Sequence, residues 1–148
     1  MMQGKYSTKV GMAFLIIFLF SGQGALPLQA APLCPMEQSD AYQKYCRRPK
    51  TELSKLLFLI DRFKDSDIKV VYNGNHYDSE VATKYARQYI RDHYRSTQDA
   101  ESFVKDHAHR SEPQGNVIYA EYPDGKIRPA SEVLLEELKA LAQKGSDK

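Results

Sequence analysis

Apolar residues along this chain change their spacing several times, and each change marks an element. The first run, Val10 to Phe20, carries no polar side chain. Lys5 and Lys9 precede it with no acid, and Ser21-Gly22-Gln23-Gly24 follows it. A basic start, a short apolar segment and small residues at a cut form the layout of a secretory signal. Residues 1–30 are therefore expected to be a cleavable secretion signal cut after Ala30, with Ala25 and Ala31 as alternative sites. A membrane span needs about 20 apolar residues, so no stable membrane anchor is expected after processing. A lipid anchor is not expected either, because Leu33 rather than a small residue stands directly before Cys34.

Beyond the leader, residues 31–50 hold three prolines and no clear period, which reads as an irregular arm with a helical turn around Asp40–Tyr45. Thr51 then caps a helix over Glu52–Phe63, in which Leu53, Leu56, Leu57, Ile60 and Phe63 recur at helical spacing. Asp65-Ser66-Asp67 breaks it. Ile68 to Tyr72 is β-branched and aromatic, and Asn73-Gly74 before His76-Tyr77 is a strong hairpin signal, since both central turn positions need positive φ. Asp78 or Ser79 opens a second helix whose inner stripe is expected at Val81, Ala82, Tyr85, Ala86, Tyr89, Ile90 and His93. A third helix is predicted from Ala100 to His109 with Phe103, Val104, His107 and Ala108 inward. Val117 to Tyr122 reads as a strand, Pro123-Asp124-Gly125 as a turn and Lys126-Ile127-Arg128 as its return. Ser131 caps a last helix, with Val133, Leu134, Leu138, Leu141 and Ala142 on its apolar side, and residues 145–148 fray. The pattern predicts a small single α+β domain over residues 51–144, with about four helices and two β-hairpins.

Composition changes this picture mainly through the leader. The whole chain has 21 Lys and Arg against 19 Asp and Glu, but Lys5 and Lys9 leave with the signal, so the processed chain is balanced. Its basicity belongs to the leader and gives no footprint for nucleic acid, which needs a basic domain. About 118 processed residues suffice for one ordinary core. The two cysteines, Cys34 and Cys46, both survive processing. In an exported chain an even count favours a disulfide, here expected to pin the arm. The spacing is far from a C-x-x-C redox motif, and two cysteines alone fall short of a closed zinc site.

The order of the motifs resembles a family of small exported bacterial proteins of unknown function, the YfeK-like family, over roughly residues 53–141. The residues that carry the likeness are Tyr72-Asn73-Gly74 with Tyr77, then Ala82 and Arg87, then Ala100-Glu101-Ser102-Phe103-Val104. Ala108, Arg110, Ser111 and Gly115 follow, and Pro129-Ala130-Ser131-Glu132-Val133-Leu134-Leu135-Glu136 closes the pattern. The chain departs from the family at Tyr85-Ala86, where His and Leu are usual, and at His109-Arg110-Ser111-Glu112, where Ser-Lys-Ser-Ser is usual. The resemblance implies export and an α+β fold, and it implies no reaction.

Four histidines are the first candidates for chemistry. His107 and His109 stand two apart, which on a helix turns them about 200° from each other, so one ion cannot take both. His107 is expected in the core or at its boundary and His109 as a charge favoured by its helix C-terminus. His76 flanks the first hairpin and His93 ends the second helix. No serine sits in a G-x-S-x-G elbow. A small hydrolase using His107 or His109 with Ser111 is the enzymatic alternative, and a structural or chaperone-like envelope component is the third reading. No catalytic residue, metal or cofactor is assigned.

The strongest binding candidate is a basic stripe. Lys84, Arg87, Arg91 and Arg95 are spaced 3, 4 and 4 apart, within a narrow sector of the second helix, beside Tyr85, Tyr89 and Tyr94. Such a surface suits an anionic envelope component or an acidic protein. The plain alternative is a solvated helix face on which Glu80 pairs with Lys84. The expected function is non-catalytic binding of a ligand or partner in the periplasm or outside the cell.

Overall fold

The computed structural model describes residues 33–109 and 115–146, so Ala30 and the segment containing Ser111 lie outside the described residues. A short 3-10 turn over Met36–Gln38 leads into α1 (Asp40–Arg47). The Ser39 hydroxyl donates to the Met36 carbonyl at 2.6 Å and accepts from the Tyr42 N–H at 3.2 Å, which both closes the turn and caps the helix. Only a helical turn is expected here from sequence. The helix persists to Arg47 because Ala41, Tyr42 and Tyr45 find an apolar surface to cover.

That surface belongs to α2 (Glu52–Lys64), against which α1, α3, α4 and α5 all pack. Thr51 caps it, its hydroxyl accepting from the Ser54 N–H at 3.2 Å. Leu56, Phe58, Leu59 and Ile60 are buried, while Leu53 at the N-terminal end is 38 % exposed. The expected one-sided stripe is therefore corrected: α2 is surrounded, so consecutive residues from Phe58 to Arg62 are buried whichever way they point. Two of them, Asp61 and Arg62, are charged, and each is paired with an oppositely charged side chain from another part of the fold.

After α2 come β1 (Lys69–Tyr72) and β2 (Asn75–Tyr77), then α3 (Ser79–His93) and α4 (Ala100–His107). The chain closes with β3 (Tyr119–Glu121), β4 (Ile127–Pro129) and α5 (Ala130–Ser146). The strands form one antiparallel sheet in the order β2-β1-β3-β4, made of two hairpins joined through β1 and β3. Asn73 and Gly74 take φ of 51° and 73°, as the hairpin turn requires. Val70 stands opposite Ala120 across the β1–β3 ladder, and Ala120 is buried with Ile68, Tyr122 and Val133 beneath α5. Arg128 on β4 donates two hydrogen bonds to Glu136 on α5, at 2.9 and 2.6 Å, fastening the sheet edge to that helix. These bonds hold the Glu136 carboxyl below its ordinary pKa. Among the described residues the result is a small α+β domain with five α-helices, α1 being the one beyond the expected four. No helix among the described residues is long and apolar enough to cross a membrane.

Two expectations about burial are overturned. Val81 and Tyr85, expected inside, are 39 % and 69 % exposed, whereas Thr83 and Ile90 are buried. Val81 and Tyr85 each lie two residues from Thr83, about 200° around the helix, so burying Thr83 turns both outward. Thr83 tolerates burial because its hydroxyl donates to the Ser79 carbonyl at 2.7 Å.

The other correction concerns the arm. Cys34 and Cys46 are both free and exposed, so no disulfide pins it. Cys46 lies in the last turn of α1, carried about 9 Å along the axis from Asp40 at 1.5 Å per residue, while Cys34 is held before that helix begins. Arg62 does the holding: its Nη2 donates to the Cys34 carbonyl and its Nη1 to the Cys34 sulfur at 3.2 Å. A reductant should therefore leave the thermal midpoint unchanged. A bridge closing this loop would instead lose roughly 3 kcal/mol on reduction, a difference that differential scanning calorimetry with and without dithiothreitol resolves.

Candidate functional site

The buried carboxylate of Asp61 organises the first candidate site. Arg48, at the C-cap of α1, donates from Nη2 to Asp61 Oδ2 at 2.6 Å. Arg87 on α3 donates from Nη2 to Asp61 Oδ1 at 3.2 Å. One carboxylate thus bridges two guanidiniums, which leaves a net charge of about +1 on the triad. The Arg48 Nη1 is buried and has no hydrogen-bond partner among the described residues. A buried charged donor without an acceptor is costly. Arg87 remains half exposed.

The basic stripe is brought together in part. Arg87 lies about 40° from Thr83 around α3, close enough to the inner side to reach Asp61, while Lys84 and Arg91 lie about 80–100° away and project outward. All three are exposed on one flank of the helix. Arg95 falls beyond the C-cap Tyr94, so helical spacing no longer places it, and its Nη1 donates to the Tyr94 carbonyl at 3.4 Å. The Glu80–Lys84 pair expected of a plain solvated face is not among the ion pairs of the described residues. Arg91 donates to Gln88 and stands 3.6 Å from the Asp92 carboxylate. Arg48 and Asp61 were not legible as members of this site. Their only sequence signal is an acid and a base, Asp61-Arg62, set inside the apolar run from Leu56 to Phe63.

On the other side of Asp61 lies a cavity of about 490 Å³, bordered by Leu33, Asp40, Asp61, Arg62, Ile68 and Tyr122 among others. Its lining includes buried Ala41, Ile68 and Tyr122 and exposed Asp40, Asp65 and Asp67. Burial pushes the Tyr122 phenol above its ordinary pKa. A shallower hollow of about 300 Å³ lies at the first hairpin, between Asn73-Gly74 and Val117-Tyr119.

The histidines separate into three places. His76 Nδ1 lies 2.6 Å from the Glu121 carboxylate across the sheet. His107 is half-buried, as expected, and its Nδ1 lies 3.0 Å from the Tyr89 hydroxyl. His109 Nδ1 stands 3.5 Å from the buried Ser131 hydroxyl. Ser131 lies in the first turn of α5 rather than before it. Ser111, the serine expected to work with these histidines, lies outside the described residues. Among the described residues no group of three or more His, Cys, Asp or Glu side chains is placed to hold a metal.

A protein-family model described as a family of unknown function (DUF5329) matches residues 48–142, and the chain belongs to that family. No curated protein and no solved structure matches the chain. The family match begins at Arg48, so the whole Arg48–Asp61–Arg87 triad lies within it.

Proposed function

We propose that this member of a family of unknown function is an exported, non-catalytic binding domain that holds an anionic component of the cell envelope on the α3 flank. The observation that carries the reading is the convergence of Arg48 and Arg87 on one buried carboxylate, which leaves surplus positive charge beside the half-exposed Arg87. Asp61 neutralises only one of the two guanidiniums, so the triad keeps a surplus positive charge for an anion to meet. Lys84 and Arg91 flank Arg87 by about one turn on either side, which suits a ligand carrying more than one negative oxygen. The basic leader, the apolar run and the small residues before Ala30 support export, as does the YfeK-like motif order. On this reading the protein works in the periplasm or is secreted.

The test compares the wild-type protein with an Arg87→Glu/Arg91→Glu variant in crosslinked pull-downs from envelope extract, after circular dichroism establishes that the variant folds. Wild type is expected to retain anionic material, and the variant to retain at least tenfold less. Equal recovery by both proteins would make the stripe a solvated face.

A further inference from the structure

Helices α3 and α4 each end on a histidine, and the two ends come within reach of one another. His93 is the last residue of α3 and His107 the last of α4, and their ring centroids lie 6.4 Å apart. Tyr89, one turn before His93, serves both rings. Its backbone carbonyl stands 3.0 Å from His93 Nδ1, and its hydroxyl stands 3.0 Å from His107 Nδ1. A carbonyl only accepts, so His93 Nδ1 carries a proton, and in the neutral ring Nε2 keeps its lone pair. The Tyr89 hydroxyl can accept from His107 Nδ1 in the same way. Neither Nε2 has a hydrogen-bond partner among the described residues.

We propose that His93 and His107 form a two-histidine site for a borderline divalent transition ion of the zinc type, bound through their Nε2 atoms. Three observations converge on it. First, metal-binding histidines ordinarily give their second ring N–H to a carbonyl or similar acceptor, which fixes ring and tautomer; here one tyrosine does so for both. Second, both residues sit at helix C-termini, where the backbone carbonyls favour positive charge. Third, the spacing is close to that of a shared ion. A metal–nitrogen distance of about 2.0–2.1 Å places two rings with centroids roughly 5 Å apart at a tetrahedral angle. The observed 6.4 Å is wider by about 1 Å at that bond length, so binding one ion requires the exposed His93 ring to shift from its present stack on Tyr89.

With two protein ligands the ion keeps open positions for water or a ligand, unlike a closed four-ligand structural site. The plain alternative is aromatic packing, since His93 stacks on Tyr89 at 4.0 Å and His107 lies 4.6 Å from Phe103. Packing accounts for the rings but not for two engaged Nδ1 atoms and two unengaged Nε2 atoms. The adjacent-looking pair His107 and His109 is thus a distraction; the partner of His107 lies fourteen residues earlier in the chain.

Isothermal titration of the untagged protein with zinc ion tests the site. One ion per chain is expected, with His93→Ala and His107→Ala each weakening binding at least tenfold. Tyr89→Phe should weaken it by about tenfold, the scale of a lost supporting hydrogen bond, and His109→Ala should leave it unchanged. His93 is exposed, so its variant tests the site even where the His107 variant folds poorly. Absence of zinc uptake, or uptake that survives His93→Ala undiminished, overturns the proposal. This outcome is independent of the anion test, which involves neither histidine.

Discussion

Asp61→Ala is expected to cost about 2–4 kcal/mol of stability while leaving anion retention intact or raised. Removing one partner from a buried ion pair ordinarily costs about 3–5 kcal/mol, because the other charge stays behind uncompensated. Here two guanidiniums would be left facing one another where one carboxylate now separates them. The lower range applies because the Arg87 side chain is half exposed and can turn toward water, whereas Arg48 is 27 % exposed and already has an unpartnered Nη1. At roughly 4 °C per kcal/mol for a domain near this size, the thermal midpoint should fall by about 8–16 °C. Arg87→Ala should cost no more than about 1 kcal/mol, the upper range for exposed pairs, yet it should abolish most anion retention. The two variants thus move stability and binding in opposite proportion. Asp61→Ala also removes a negative charge from the flank, so a ligand held by Arg87, Lys84 and Arg91 meets a more positive surface. Chemical denaturation beside the pull-down measures both. Retention lost with Asp61→Ala in a folded protein would mean that the carboxylate positions the arginines for the ligand, beyond merely stabilising the fold.

The parts of the structure that depend on neighbours in sequence were legible there. Asn73-Gly74 specifies its hairpin through φ alone, and Thr51 before Leu56 and Ile60 specifies the start of α2 through a hydroxyl and a period. What failed depends on which face the rest of the molecule chooses. The apolar residues of α3 allow two faces, and only the docking of Thr83 and Ile90 turns Val81 and Tyr85 outward. The candidate sites failed for a related reason. Asp61 meets Arg48 and Arg87 at separations of 13 and 26 residues, so no local spacing announces the triad. Arg87 alone was visible, because a helix makes its neighbours periodic. The disulfide expectation weighed cysteine number and export without geometry, and geometry assigned the anchoring of the arm to Arg62.

That anchoring predicts an order of effects at the second buried charge. Arg62 has a side chain only 4 % exposed and donates from Nε to Glu137 on α5 at 2.9 Å, across 75 residues of sequence. Glu137→Ala should cost about 3–5 kcal/mol, since it strands a buried guanidinium with only the Cys34 carbonyl and sulfur as acceptors. Arg62→Met should cost less, about 1–2 kcal/mol: it removes the buried charge, fills similar volume, and leaves Glu137, at 17 % exposure, able to reach water. Their effects on the arm should run the other way. Arg62→Met deletes the hydrogen bonds to Cys34 and should free residues 33–38, raising the rate at which a thiol reagent modifies Cys34. Glu137→Ala keeps those bonds and should leave that rate near wild type under conditions where the protein stays folded. Urea titrations give the first order, and timed alkylation read by mass spectrometry gives the second. If Arg62→Met proves the more destabilising, the arm rather than the stranded charge dominates, and the contact to Cys34 replaces the expected disulfide in energy as well as in position.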